Sequence, residues 1–286
     1  MGAHLVPAVD GLAYGLLLAV VAAGLSLCFG TGGVLNLAHG TMYTLGAYAA
    51  ALLSHGTWAG LLLALVAGVA TGAAAGGLLA VMTAPIVGRG QLAQALLTFG
   101  VALVAGDLLV TVFGATDLPV AVPAGLDHPV LLAGHRYPAY RLGAIVVAVA
   151  LIAGGVAVLS RGRAGALVRA AVDDPQMLAC TGVDPRRVHA GVLVGAGALA
   201  GLAGVVGAPL IGPGPTSSDT VLLLSLVVVI VGGLGSIPGA VLAAVGVGEV
   251  QTLGVTLIPA WRPYLLFAAV ALALVVRRPK LAGSVR

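Results

Sequence analysis

Three carboxylates fall within or at the edge of long apolar runs: Asp107, Asp219 and Glu249. A charge inside a bilayer costs a few kcal/mol and persists mainly where it relays a proton or meets a polar solute. Asp107 is expected near the outer end of its run, where exposure accounts for it, and Asp219 at an end. Glu249 is left as the one carboxylate that a proton relay could use, the alternative being a carboxylate hydrogen-bonded between helices or near an interface. Asn36 and His39 flank a break in the apolar pattern within Asn36-Leu37-Ala38-His39-Gly40. Either they face a polar solute without carrying a lasting charge, or His39 hydrogen-bonds the backbone of a neighbouring helix.

Other chemistries lack their parts. The sole lysine, Lys280, stands between Pro279 and Leu281, so the chain has no Gly-x4-Gly-Lys-Ser/Thr loop to cradle phosphates. The histidines at 4, 39, 55, 128, 135 and 189 form no His-x3-His pair, and Cys28 and Cys180 form no Cys-x2-Cys pair, which leaves no metal-site spacing. No Gly-x-Ser-x-Gly elbow occurs. The chain is therefore not expected to be an enzyme, to hold a metal or to carry its own ATPase.

The elements that must position these residues are read from composition. Of 286 residues, 60% are hydrophobic and 8% charged, against roughly a quarter charged in an ordinary soluble domain. From Gly11 to Gly88 there is no Asp, Glu, Lys or Arg, a span long enough for several crossings of about 20 residues each. The bilayer is the solvent for most of the chain, read as one membrane domain over 1–286. Apolar windows predict spans at 11–30, 41–54, 58–83, 92–113, 142–160, 188–211, 220–234, 237–256 and 263–276. Several are shorter than a full crossing and abut Gly or Pro breakers, as at Gly30-Thr31-Gly32-Gly33. The fold class is therefore an all-α polytopic membrane protein, a bundle of about 8–9 transmembrane helices with broken or re-entrant segments.

Net charge is +4, and the basic residues cluster in short connections, a positive-inside pattern rather than a nucleic-acid footprint. The loop at about 161–187 carries Arg161, Arg163, Arg169, Arg186 and Arg187, and the tail carries Arg277, Arg278, Lys280 and Arg286. Both are expected on the cytoplasmic side, with about 114–141 as an external loop. The side of the N-terminus stays open: three crossings within 11–83 place it outside, and two with a re-entrant segment place it inside. Gly68-x3-Gly72-x3-Gly76 and Gly197-x3-Gly201 either let helices approach closely or reflect the abundance of glycine in such helices.

Within 161–187 the pattern predicts two short helices, Ala164 to Val172 and Pro175 to Thr181. Asp174 would cap the second, Pro175 would open it and Gly182 would end it. Leu167, Val168, Met177 and Leu178 are apolar residues that a merely solvated connector does not need. The loop resembles the ATPase-docking loop of ABC importer permeases, specifically the branched-chain amino-acid permease family, with its Arg-x-Gly-x-x-x-Arg-Ala, Asp-Pro and Gly-Ile/Val. Arg163, Gly165, Arg169, Ala170, Asp174, Pro175, Gly182 and Val183 match in order. Asn36 to Gly40 is similar to the family's Asn-Phe-Ala-His-Gly. Gly232-Gly233-Leu234-Gly235-Ser236-Ile237-Pro238-Gly239-Ala240 is nearly identical to its usual form. Thr83 to Arg89 departs from the family's more basic turn, which leaves the contacts of that turn open.

The resemblance implies a permease subunit in a bacterial cytoplasmic (inner) membrane, with its C-terminus cytoplasmic. Implied partners are two ABC ATPase subunits that bind ATP and Mg, a second permease subunit, identical or homologous, and an extracytoplasmic substrate-binding protein; no nucleic acid is expected. The cargo it implies is a branched-chain or related amino acid. Urea or another small polar solute carried by the same type of machine is an alternative, as is an ion-coupled carrier relying on Glu249. Gly232, Gly233, Gly235, Pro238 and Gly239 are expected to form a tight structural turn.

Overall fold

The computed structural model of the chain describes residues 5–32, 35–132 and 134–276. Gly33 of the first break and the tail cations Arg277, Arg278, Lys280 and Arg286 lie outside the described residues. In chain order the elements are α1 (Leu5–Gly32), α2 (His39–Leu53), α3 (Trp58–Thr83), α4 (Gln91–Phe113), β1 (Pro129–Leu132), β2 (His135–Pro138) and α5 (Ala139–Arg161). There follow α6 (Arg163–Asp173), α7 (Pro175–Cys180), α8 (Pro185–Gly207), α9 (Ser217–Gly232), α10 (Ile237–Glu249), α11 (Val255–Leu257) and α12 (Arg262–Val276). Among the described residues six stretches are long and apolar enough to cross a membrane: Leu5–Thr31, Trp58–Ile86, Gln91–Phe113, Ala139–Arg161, Pro185–Gly207 and Ile237–Leu257. The chain is a multi-pass helical membrane protein.

Local chemistry sets several helix starts. Thr57 accepts a hydrogen bond from Gly60 N at 3.0 Å to start α3, and Asp184 accepts from Arg186 N at 2.9 Å to start α8. Ser236 does the same for α10 through Gly239 N at 3.2 Å. The span expected at 237–256 is interrupted by a π-helical turn at Val250–Gly254, which Glu249 precedes. Such turns relieve the backbone ladder by one residue and shift the side chains beyond them. The loop 114–141 is not wholly irregular. It contains the antiparallel hairpin β1–β2, paired from Pro129↔Pro138 to Leu132↔His135, and its last residues already belong to α5.

The centre is built from α1, α2 and α8, whose Leu17, Val21, Tyr43, Ala47, Ala203 and Val205 share one buried cluster. α3 lies along α8, α10 lies along α1, and α9 packs between α10, α1 and α2. The two glycine rows face each other. A Cβ on Gly72 would fall on the Gly197 carbonyl and one on Gly197 would fall on the Gly72 carbonyl. Gly68 opposes Gly201, and Gly76 opposes the Leu193 carbonyl. Backbones in direct contact supply the dispersion that lipid cannot supply through hydrophobic drive. α4 and α5 stay peripheral, with Leu96, Leu103 and Val104 on one and Val146 and Val158 on the other exposed to the surroundings.

Two sides can be told apart by their contacts. Asp10 near the start of α1 pairs with Arg141 and accepts from Tyr137 Oη at 2.8 Å, so α1 begins on the side of the hairpin. Ser54, just past α2, donates to the Ala121 carbonyl at 2.9 Å on that same side. α1, α2 and α3 therefore alternate in direction, the arrangement that sets the start of α1 opposite the α6–α7 knob. Tyr137 is fully buried. Burial, and then the hydrogen bond to Asp10, hold its phenol well above the usual tyrosine range. The neutral phenol therefore contributes stability in full below pH about 10, where the unfolded chain's tyrosine begins to ionise, and that contribution declines as pH rises further. Thermal unfolding in detergent from pH 8 to 11 should fall more steeply above pH about 10 for the native chain than for Tyr137→Phe. Parallel curves would remove this tie between hairpin and α1.

Candidate functional site

The knob between α5 and α8 is rigidly joined to the bundle. Only Gly162 separates α5 from α6, which folds back across the end of α5. Gly165 is buried there, because a Cβ would overlap the Leu159 backbone. The Arg169 guanidinium donates to the Leu159 carbonyl, satisfying one of the free acceptors at a helix C-terminus with a cation suited to its dipole. Asp174 then caps α7, its Oδ1 accepting from Gln176 N at 2.9 Å and Met177 N at 3.0 Å, with Pro175 first in the helix. Gly182 ends the turn at φ +84, a left-handed conformation that glycine adopts without cost.

The residues of this loop divide by position. Ala171 and Leu178 are buried, and Val168 joins a cluster with Cys28, Leu193 and Ala196. Ala170 and Val183 are half-buried. Arg163, Arg169, Asp174, Pro175 and Gly182 are exposed, beside the exposed apolar side chains of Leu167, Val172 and Met177. Apolar side chains projecting from a preformed surface, rimmed by charge, are the chemistry of a protein contact.

Between the knob and the bundle lies a cleft of about 840 Å³ that Arg169 and Asp173 share with Thr31 of α1 and with Gly235, Ser236 and Pro238. The glycine turn 232–239 thus adjoins the knob, a juxtaposition of segments some 60 residues apart that spacing alone does not reveal. The turn itself is tight. Gly233 and Gly235 have φ of +97 and +81, and a Cβ on Gly239 would strike the Gly232 carbonyl. Pro238 lies in the first turn of α10.

Asn36 and His39 lie elsewhere, deep in the bundle, and both are fully buried. Asn36 Oδ1 accepts from Ala38 N at 3.1 Å, and its amide approaches Met42 Sδ at 3.9 Å. His39 Nε2 donates to the Val21 carbonyl at 2.9 Å, since a carbonyl oxygen can only accept, which fixes a proton on that nitrogen. Thr98 of α4 bridges Leu37 N at 3.2 Å and the Leu35 carbonyl at 3.0 Å. The freed backbone of the break is thereby satisfied by protein, as membrane depth requires.

His39 opens α2 at the level of Val21, well inside α1. The opening of α9 meets it, Thr41 Oγ1 lying 3.1 Å from Ser218 Oγ. Ser217 Oγ donates to the Gly212 carbonyl at 2.7 Å and accepts from Gly214 N at 2.9 Å, organising the Gly-Pro-rich entry to α9. Two short helices therefore start side by side within the bundle, α2 running toward the hairpin side and α9 toward the knob. Beside this meeting point Thr216, Asp219 and Thr220 are exposed on the single chain. Paired helix starts with a polar rim suit a small polar or charged solute. The span expected at 188–211 ends earlier, at Gly207, where the Gly-Pro-rich residues 207–215 begin, and nothing in them signals the partner of α9.

Glu249 is half-buried at the end of α10 on the hairpin side, against Gly11 and Thr252. Its Oε2 has no hydrogen-bond partner among the described residues. It is separate from both the knob and the α2–α9 meeting point.

A family model described as branched-chain amino acid transport system / permease component matches residues 8–276. No curated protein and no solved structure matches the chain.

Proposed function

The chain belongs to the family of branched-chain amino acid transport permease components, whose model it matches over residues 8–276, and we propose from this that it is the membrane-spanning subunit of an ABC importer. In this reading it moves branched-chain or related amino acids inward, using ATP hydrolysed with Mg by two separate ATPase subunits. A second permease subunit completes the pathway, and an extracytoplasmic binding protein delivers the solute. The chain itself performs no covalent chemistry. The knob side faces the cytoplasm of a bacterial cell and the hairpin side faces outward, in keeping with the arginines of 161–187.

The observation that carries this reading is the preformed α6–α7 knob, tied to α5 through Gly165 and Arg169 and continuous with α8 through Asp184. A push from a docked ATPase on such a body moves α5 and α8 rather than bending a loop. It thereby favours one of two packings of the bundle by differential contact. The solute would pass the α2–α9 meeting point, where helix starts and the Thr216–Asp219–Thr220 rim offer polar contacts without a metal.

The test is reconstitution of the chain with its ATPases, partner permease and binding protein in proteoliposomes, following uptake of labelled leucine beside urea. Leucine uptake that needs ATP and every component supports both the machine and its cargo. ATP-dependent uptake of urea alone keeps the machine and changes the cargo. Leucine uptake driven by a proton gradient without ATP would overturn the proposal and return attention to Glu249.

A further inference from the structure

A crevice of about 700 Å³ separates α5 from α8 directly above the knob. Its walls carry Gly154 and Gly155 on α5 and Gly191 and Gly195 on α8, and nothing stands within 4 Å of where a Cβ on any of these four would lie. Gly154, Gly191 and Gly195 are exposed, so the crevice opens sideways between the two helices, where a membrane protein meets lipid. The lining is apolar except at one place. Arg187, at the knob end, is its sole charged residue, is itself exposed, and forms no ion pair with any described residue.

Depth identifies the occupant. Along α8 the lining runs from Arg187 to Leu199. At 1.5 Å per residue that is roughly 18 Å, a little over half of a hydrocarbon core of about 30 Å and well short of the whole. A partner's transmembrane helix would call for a groove along the full thickness, whereas one leaflet's acyl chains fill half. Charge supplies the other constraint. An unpaired guanidinium at the mouth, with no carboxylate in the lining and with arginines outnumbering Asp173, Asp174 and Asp184 on the same side, matches a phosphate and repels a cation. We infer that the α5–α8 crevice binds an anionic phospholipid of the knob-side leaflet, its acyl chain lying over the four glycines and its phosphate on Arg187. The lipid would then separate the two helices that the knob joins, so that its fit bears on how far they approach when the knob is pushed.

The inference needs only that the chain lies in a bilayer, so it stands or falls separately from the ATPase reading. The full chain, with any subunits that co-purify, is placed in nanodiscs containing phosphatidylglycerol or phosphatidylcholine with a photoactivatable diazirine in the acyl chain. Cross-linked peptides are then mapped. Residues 150–159 and 188–199 should label about fivefold more from phosphatidylglycerol, the equivalent of roughly 1 kcal/mol for one arginine near an anionic headgroup. Arg187→Gln should bring the two probes to equal yield. The double variant Gly191→Leu, Gly195→Leu should lose labelling by both, and because both sites are open it should keep its thermal stability. Undiminished labelling in that filled variant, no preference for the anionic probe in the native chain, or adducts to another protein chain at these positions in place of lipid would each overturn the assignment.

Discussion

In the ABC importer proposed above, Gly165→Val should lower ATP-dependent uptake by about fivefold to a hundredfold while leaving the protein inserted in the membrane. The reason is geometric. α6 returns across the end of α5 so closely that a Cβ at position 165 would collide with the Leu159 carbonyl and its Cα. Neither neighbour is the flexible tip of a side chain, so α6 must tilt. Arg169 would then lose the Leu159 carbonyl, and the exposed side chains of Leu167, Val172 and Met177 would shift relative to α8. Overpacking of this kind costs typically 1–3 kcal/mol, and each 1.4 kcal/mol is tenfold in the population of the docking-competent knob. The damage is confined to the knob side, so insertion and detergent extraction should be near normal, and ATPase subunits should hydrolyse ATP without moving solute. Arg169→Glu should act in the same direction by placing an anion on the carbonyl end of α5. Gly182→Ala should do less, because its surroundings are open and only the left-handed φ is penalised, by about 1–2 kcal/mol. The measurement is uptake in proteoliposomes, normalised to inserted protein. Normal uptake by Gly165→Val would remove the knob from the coupling route.

The knob was legible because its chemistry is local. Asp174, Pro175 and Gly182 are cap, first turn and stop within nine residues, and the structure sets α7 at Pro175–Cys180 with the carboxylate on two amides. α3 was legible for the same reason, a charge-free run entered at Thr57 and left at Ala84-Pro85. Elsewhere the deciding partner is distant. Gly-Pro-rich residues 207–216 mark a break, but that α9 starts against α2 depends on Ser218 meeting Thr41 across 177 positions. The Asp10–Arg141 pair similarly joins the first helix to the start of α5, and the Tyr137 hydrogen bond joins it to a hairpin that a four-proline loop did not announce. The π turn after Glu249 has no breaker within it until Gly254, so the pattern read as one continuous helix. For Asn36 the sequence marked a polar residue in a break, and the Ala38 amide of that break accounts for its carbonyl oxygen. His39 resolves between the two readings left open for it only as far as Nε2, which is held by Val21, while Nδ1 is without a partner among the described residues.

The α3–α8 seam should be the least tolerant part of the molecule. Gly72 and Gly197 lie so that a Cβ on either would enter the other's carbonyl, with Gly68 against Gly201 one turn along and Gly76 against Leu193 on the next. A side chain at Gly72 cannot be absorbed by a rotamer change, because what it meets is backbone. The helices must separate, and every contact along both rows is stretched together, at a distance where a gap of 0.5–1 Å already forfeits a quarter to a half of the dispersion well. Water supplies no compensating drive here, so the loss falls directly on the folded bundle. Gly72→Leu should therefore lower the unfolding temperature in detergent by on the order of 10 °C, corresponding to about 3 kcal/mol or more in a chain of this size. Gly72→Ala should be intermediate. Gly77→Leu is the decisive control: it lies on the same helix, where a Cβ would meet only Val194 Cγ2 at an ordinary 3.7 Å. It should shift unfolding by no more than about 2 °C, within the range of a surface substitution. Equal losses at 72 and 77 would mean that any bulk on α3 is harmful and that the glycine row has no special role. A large loss at 72 alone ties the stability of the bundle to direct backbone contact between α3 and α8. That contact lets the half-length α2 sit against both helices and hold its start, at His39 and Thr41, inside the membrane.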